Sequence, residues 1–228
     1  MAAPDGRSGM TTVAEFVVDA TADAWRVIGF DVGVDPSDAQ SGGGVFQLGG
    51  IRIRLTGNDT GAGITSWVIA DAPDSTITSI DGLATTHGSQ SELAAPTHPN
   101  GIVDFDHVVV NTADLERTCA AIESATDASL KRIREAGSIR QGFHRLGELI
   151  VEVVTHPGID THQASFWGLA LNVIDIDTLY EWCGDELMSA PKTAVQPGRR
   201  IASFRKDAGL GLPLAVMTPH QPRTSPAS

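Results

Sequence analysis

The sequence predicts an α+β protein of tandem βαβββ modules that form two curved mixed sheets, with a degenerate N-terminal half. Two observations predict this fold. A strand–helix–three-strand pattern begins at residue 103 and begins again at residue 165. In addition, residues 44–56 can be laid over residues 142–154, with glycines and alternating apolar residues at matching positions. Internal repetition of one supersecondary unit is the signature of a modular fold.

The third module is the clearest of the four. Residues 103–110 are rich in β-branched and aromatic side chains, which is typical of a strand. The next segment has an apolar stripe at helical spacing, formed by Leu115, Cys119 and Ile122. Three further strands are predicted at 129–134, 139–146 and 149–155. Gly147 and Glu148 supply a tight turn between the last two.

The fourth module repeats this order. Residues 165–173 form an apolar strand, and Gly184 is a suitable end for the helix that follows. That helix has apolar residues at Ile176, Leu179, Tyr180 and Cys183. Three more strands are predicted at 189–195, 200–206 and 211–218.

The N-terminal half matches the pattern less fully. A strand at 15–18 precedes a short helix around Trp25 and Ile28. Residues 64–70 resemble the first strand of a second module, but residues 75–97 contain few apolar residues, so this module is predicted to be incomplete. The predicted organisation is therefore a disordered tail (1–12), a degenerate domain (13–95), a linker (96–102), a second domain (103–218) and a C-terminal tail (219–228).

Charge and composition exclude several classes of protein. The net charge of −12, from 16 basic and 28 acidic residues, would repel nucleic acid and anionic membranes. No apolar run approaches the roughly 20 residues that cross a bilayer, and residues 1–12 do not resemble a signal peptide, so we expect a cytoplasmic protein. Cys119 and Cys183 can form one disulfide, although two buried free thiols are favoured inside a cell.

Three segments resemble the vicinal oxygen chelate (VOC) superfamily, which includes glyoxalase I, extradiol dioxygenases, bleomycin-resistance proteins and methylmalonyl-CoA epimerase. They are residues 105–115 (FDHVVVNTADL), 149–153 (LIVEV) and 168–177 (GLALNVIDID). The resemblance covers 103–218 well and 13–70 more faintly. It implies a divalent metal cofactor, Zn, Ni, Mn or Fe, held by side chains from the first and last strands of paired modules.

Only part of that ligand set is present. The resemblance assigns His107 and Glu152 as metal ligands and catalytic residues. The two opposing positions fall on Gly168 and on Leu214 or Ala215, which cannot bind a metal. Since a catalytic zinc needs about three protein ligands, the site is predicted to be incomplete. His156, His144 and His162 are the imidazoles that could replace the missing donors.

A second interpretation makes these residues structural. His107 and Glu152 lie inside apolar strands, where a buried charge needs a partner, so we expect them to contact each other. The equivalent residues of the first half are Glu15 and Arg54, and arginine cannot bind a metal. We therefore expect a second buried ion pair between Glu15 and Arg54.

Five further residues are candidates for ligand binding: Phe105, His144, Trp167, Arg199 and Arg205. Alternation along a strand predicts that Phe105 shares a face with His107, and that Arg199 and Arg205 share a face from which they could bind a carboxylate or phosphate. Salt-bridged strand ends are the alternative for the arginines. Trp167, like Trp67, could stack on a planar ligand or pack in the core.

Two functions follow from these observations. The first is a glyoxalase-like protein that binds a small molecule beside an incomplete metal site. The second is a divalent-metal-dependent lyase, isomerase or dioxygenase, or a metal-free acid–base pair acting beside a carbonyl group. In both cases the expected partner is a small molecule, and the chain is expected to be a monomer or a homodimer.

Overall fold

The computed structural model describes residues 10–35, 42–89 and 97–220. The predicted tails at 1–9 and 221–228, and the end of the first domain with the start of the linker at 90–96, lie outside the described residues. Within the described ranges, no helix has the length and apolar character needed to cross a bilayer.

The N-terminal half forms one six-stranded sheet in the order β2-β3-β1-β4-β6-β5. Strand β1 is parallel to β3 and antiparallel to β4, and β4 is parallel to β6. Its elements are β1 (Thr12–Val18), α1 (Ala22–Val27), β2 (Gly44–Leu48), β3 (Ile51–Leu55), β4 (Ile64–Ala70), β5 (Ser79–Ile80) and β6 (Leu83–His87). The chain between β4 and β5 forms turns instead of the helix found in the other modules.

The C-terminal half forms an eight-stranded sheet in the order β12-β13-β14-β11-β7-β10-β9-β8. Strand β7 is parallel to β10 and antiparallel to β11, so the centre of this sheet repeats the arrangement around β1. Its elements are β7 (Ile102–Asn111), α2 (Leu115–Thr126), β8 (Arg132–Ala136), β9 (Ile139–Leu146), β10 (Leu149–Thr155), β11 (Ser165–Val173), α3 (Ile176–Leu187), β12 (Lys192–Thr193), β13 (Arg200–Ser203) and β14 (Leu214–Met217).

The strands at 139–146, 149–155 and 165–173 have the bounds that the sequence predicts. Three other predictions were too long. The strand predicted at 189–195 contains only two residues, because Pro191 has no N–H for the sheet and β12 lies at its edge. The strand predicted at 200–206 ends at Ser203, and that predicted at 211–218 begins after Pro213.

Each sheet has one face that carries the helices. On the C-terminal sheet, α2 packs over Gly142, where a Cβ atom would lie 2.7 Å from Sγ of Cys119. The sheets also pack together through these faces, since the Phe16 ring lies 5.8 Å from Phe105 and 6.1 Å from Phe166. The opposite side of each sheet, which we call its helix-free face, has the polar residues.

Both cysteines are buried and free, which confirms the prediction of two unpaired thiols. Burial raises the pKa of the Cys119 thiol to about 11, and burial also raises that of Cys183. Neither thiol is therefore activated as a nucleophile.

The end of the predicted linker is packed against the first half. The His98 ring is buried, with Nδ1 accepting from the Asp31 N–H at 3.2 Å and Nε2 lying 2.9 Å from the Gln47 carbonyl oxygen. Asn100 is buried as well and donates to the Ile28 carbonyl at 3.0 Å. These bonds attach the start of β7 to the N-terminal sheet.

Candidate functional site

A β-bulge in β7 shapes the helix-free face of the C-terminal sheet. His107 pairs with Ala170 and Phe105 pairs with Leu171, so Asp106 is the extra residue. A bulge changes the alternation of side chains, and here it brings the Asp106 carboxylate to the side of the sheet where His107 lies. The prediction that Phe105 shares a face with His107 was wrong, because Phe105 packs against Phe16 on the helix-bearing face.

His107 and Glu152 contact each other across the sheet, as predicted. Nε2 of His107 lies 3.5 Å from Oε2 of Glu152, and the two side chains are 17% and 13% exposed. Nδ1 of His107 lies 2.8 Å from Oδ1 of Asp106, while the side-chain amide of Gln141 donates to Glu152. Both ring nitrogens of His107 therefore face carboxylates.

Asp106 connects His107 to a buried arginine. Nη1 of Arg199 lies 2.6 Å from Oδ2 of Asp106, and Arg199 is only 2% exposed. Burial by itself would raise the pKa of Asp106, but the hydrogen bonds and positive charges of His107 and Arg199 outweigh it and hold that pKa below its ordinary value. Asp106 is thus an anionic acceptor, to which Nδ1–H of His107 donates.

The other two nitrogens of the Arg199 guanidinium also have partners within the protein. Nε donates to the Thr218 carbonyl at 2.6 Å and Nη2 donates to Oδ1 of Asn172 at 2.7 Å, while Nη1 also contacts Gln196 and His220. With a protein partner at each of its three nitrogens and only 2% exposure, this guanidinium is placed to orient Asp106.

A polar network therefore extends along the helix-free face. Its members, in order of contact, are Gln141, Glu152, His107, Asp106, Arg199, Asn172 and Asp104. Sequence analysis missed four of these residues: Asp104, Asp106, Gln141 and Asn172. The sequence did contain an indication for Asp106. A carboxylate within an apolar strand must be paired, and the chain has few basic residues to pair with it.

A cleft of about 570 Å³ borders this network. Asp104, Asp106 and Asn172 line one wall, and Ile150, the strand neighbour of His107, lines another. The N-terminal half supplies apolar side chains from Val13, Leu48 and Ile51. The volume lies within the range of small-molecule sites in proteins.

The N-terminal half holds the second predicted contact. Nε of Arg54 lies 2.9 Å from Oε1 of Glu15, which confirms the expected ion pair. Arg52 makes a second ion pair with the same carboxylate. Glu15 is 2% exposed, and its position in β1 is equivalent to that of His107 in β7.

Comparisons with known proteins agree with this architecture. No family model matches the sequence, and neither does any curated protein. Among solved structures, a mutant of 4-hydroxymandelate synthase from Streptomyces coelicolor matches with a TM-score of 0.62 at 12% identity, over 94% of this chain and 94% of that one. A xylose isomerase-like TIM barrel/4-hydroxyphenylpyruvate dioxygenase fusion protein matches with a TM-score of 0.65 at 10% identity, over 98% of this chain and 51% of that one. Methylmalonyl-CoA epimerase from Mycobacterium tuberculosis matches 57% of this chain and 95% of its own, with a TM-score of 0.46 at 14% identity.

The chain has the vicinal oxygen chelate fold. The family resemblance implies a metal held by side chains from the first and last strands of two paired modules. The side chains at these four strand positions therefore decide whether a metal fits. Ala215 pairs with Ala170, which pairs with His107, so a methyl group takes the last-strand position on the helix-free face. At the first-strand position, a Cβ atom on Gly168 would lie 2.3 Å from the Pro213 carbonyl oxygen. A donor side chain is thus sterically excluded there.

The residues present do not fit the four-ligand metal site of the VOC fold. Of the four expected ligands, only His107 and Glu152 remain. The Arg199 cation lies against the same network and would repel a second cation. Within residues 10–35, 42–89 and 97–220, no three His, Cys, Asp or Glu side chains are grouped so that they could hold a metal ion.

Replacement donors do not converge on His107 either. His144 is buried on the helix-bearing face, with Nδ1 2.7 Å from the Ala128 carbonyl oxygen, so its predicted place beside His107 was wrong. Burial lowers the pKa of His144 and keeps its ring neutral. Strand β10 ends at Thr155, and both His156 and His162 are exposed.

Two other predicted ligand-binding residues lie elsewhere. Arg205 does not share a strand face with Arg199, because β13 contains only Arg200–Ser203; Arg205 is exposed and donates to the Asp185 carbonyl. Trp167 is the extra residue of a second bulge in β11 and is 51% exposed. Trp67 is fully buried and donates to Thr85, so it belongs to the core.

Proposed function

We propose that this protein binds a small organic molecule in the cleft beside the C-terminal polar network, without a metal ion. The observation that supports this proposal is the fixed orientation of His107. Asp106 accepts from Nδ1–H and fixes the ring, so Nε2 of His107 is directed towards Oε2 of Glu152, 3.5 Å away. Neither atom lines the cleft itself, but Asp106 and Ile150, the chain and strand neighbours of His107, do, so a hydroxyl, amine or amide of a ligand that extends past Ile150 could bond to both atoms.

The cleft has the composition of a ligand site. Its apolar side chains come from both halves, and its polar side chains include Asp104, Asp106 and Asn172 of the network together with Thr12, Arg145, Glu148 and His220. Apolar walls with a few oriented polar groups are the usual design of small-molecule sites. In this proposal the N-terminal half contributes a wall of the site.

An enzyme is the second candidate. Nε2 of His107 and Oε2 of Glu152 are the two donors of the implied ligand set that this chain keeps, so a metal enzyme would need its other ligands from the substrate or from water. The same pair could act as a metal-free acid–base pair beside a carbonyl group. The solved structures that share the fold include a synthase and a dioxygenase fusion protein, which is why this candidate is kept.

One experiment separates these candidates. The protein is purified without chelators and analysed for Zn, Ni, Mn and Fe, and a library of small hydroxyl, amide and carbonyl compounds is then screened by NMR with 15N-labelled histidine. Binding that shifts the His107 resonances in metal-free protein, and is lost in His107→Ala and Glu152→Gln, would support the binding protein. His156→Ala is the matched control, since that ring is exposed and outside the network.

Stoichiometric metal that disappears in His107→Ala, and not in His156→Ala, would instead support the metal enzyme. If no compound shifts the His107 resonances and no metal is present, the proposed site is wrong. Turnover of a bound carbonyl compound without metal would identify the acid–base pair.

A further inference from the structure

The N-terminal half has an unusual distribution of positive charge. Between residues 12 and 88 the sequence contains ten acidic residues and only three basic ones, Arg26, Arg52 and Arg54. Two of those three lie in β3, two residues apart, and so project from the same side of the strand. The few cations of an acidic half are therefore concentrated on its helix-free face.

Glu15 lies beneath these arginines. It pairs with Arg52 across the parallel strands β1 and β3, and its side chain is 3% exposed, whereas those of Arg52 and Arg54 are 54% and 39% exposed. Each arginine bonds the carboxylate through Nε. One guanidinium would neutralise Glu15, so the second leaves a net positive charge at the surface.

The donors of this face exceed its acceptors. Among the described residues, no acceptor takes a hydrogen bond from the terminal amino groups of Arg52 or Arg54. Gln47 is the strand partner of Arg52 in β2 and lies in the same row. Its side-chain nitrogen is buried and has no hydrogen-bond partner in the described part of the chain. Such groups are satisfied by a ligand or by solvent.

We propose that the helix-free face of the N-terminal sheet is a second binding site, which takes the oxyanion of a small molecule, a carboxylate or a phosphate. Glu15 serves as the buried anchor that aligns two guanidinium groups side by side. The planar fork of arginine matches the oxygens of either anion and makes charge-assisted hydrogen bonds with them. Gln47 supplies a neutral donor beside Arg52.

The proposed site is separate from the cleft of the C-terminal half. Arg52, Arg54 and Glu15 do not line that cleft, so each site can be tested while the other is intact. The two sites nevertheless occupy equivalent positions of the internal repeat. The C-terminal one presents His107 beside the carboxylate of Glu152, and the N-terminal one presents the donors of two arginines.

The test uses the full chain with two probes, inorganic phosphate and malonate, each titrated at constant ionic strength with chloride as the balancing salt. Side-chain Nε–H resonances of arginine are followed by NMR. We expect a saturable shift of the Arg52 and Arg54 signals with at least one probe. Saturation by phosphate alone or by malonate alone identifies which oxyanion the site takes.

Three variants make the result decisive. In Arg52→Gln the anion concentration at the midpoint of the titration should rise by about tenfold or more, as expected for loss of a charge-assisted pair. In Arg140→Gln, which removes an exposed arginine of the other half, it should be unchanged. If Arg52→Gln fails to fold, Arg52→Lys keeps the charge opposite Glu15 but loses the fork, and its midpoint should still rise. Linear shifts with both probes, or equal midpoints in the wild type and the Arg52 variant, would overturn the proposal.

Discussion

Nη1 of Arg199 lies 2.6 Å from Oδ2 of Asp106, and both side chains are almost fully buried. This ion pair joins the loop before β13 to the bulge of β7, and it sets the orientation of His107. It is therefore the contact on which both the stability and the proposed function of the C-terminal sheet depend.

Removing Arg199 should leave Asp106 as a buried, uncompensated charge. We expect Arg199→Met to lower the free energy of unfolding by about 3–5 kcal/mol, measured by urea denaturation. Arg145→Met, which removes a pair with the exposed Glu148, should cost less than about 1 kcal/mol. The double variant Asp106→Leu with Arg199→Met should be more stable than Arg199→Met alone. Equal losses in Arg199→Met and Arg145→Met would show that the buried pair is not an important contact.

Only part of this network could be predicted from the sequence. The repeat made β9, β10 and β11 predictable, and the sign reversal between Glu15/Arg54 and His107/Glu152 predicted both contacts. The bulge at Asp106 could not be predicted, because the pattern of apolar and polar residues in a strand does not show where an extra residue is inserted. That single residue moved Phe105 to the other face. Arg199 was predicted to bind a ligand or to form a salt bridge at a strand end, and its burial could not be foreseen because its partners Asn172, Thr218 and Asp106 come from distant segments.

The close packing at Gly168 can be tested by a minimal substitution. A Cβ atom at this position would lie 2.3 Å from the Pro213 carbonyl oxygen, so β11 and β14 would have to separate. We expect Gly168→Ala to destabilise the protein by about 1–3 kcal/mol in urea denaturation, because the added methyl group overpacks the sheet. Gly33→Ala is the control, since its Cβ would meet no atom closer than 3.6 Å. A neutral effect of Gly168→Ala would mean that the ligand position of the fourth module is sterically available after all.

The buried ring of His144 should make stability depend on pH. Burial lowers its pKa, and Nε2 is buried with no hydrogen-bond partner among the described residues, so the folded state holds the neutral ring. The unfolded chain takes up the proton near the ordinary value of about 6.5, so its contribution to stability should decline as pH falls through that value and towards the lower folded pKa. Urea denaturation at about pH 7.5 and about pH 5 should show this decline in the wild type and a smaller one in His144→Gln. His156→Gln, which alters an exposed ring, should keep the wild-type slope. An identical slope in His144→Gln would show that His144 is not the group responsible.

The two cysteines should resist alkylation while the protein is folded. Only the thiolate reacts, and burial raises the pKa of Cys119 to about 11, so at about pH 8 roughly one thiol in a thousand is ionised even before access is considered. Cys183 lies on the buried side of α3, and burial raises its pKa as well. We expect iodoacetamide to modify neither residue in native protein and both in concentrated urea, as measured by intact-mass spectrometry. Cys119→Ser and Cys183→Ser assign the two reactions, because each variant should gain one adduct fewer in urea. Rapid modification of Cys119 in the native state would mean that the region around α2, where this sulfur packs against Gly142, opens easily.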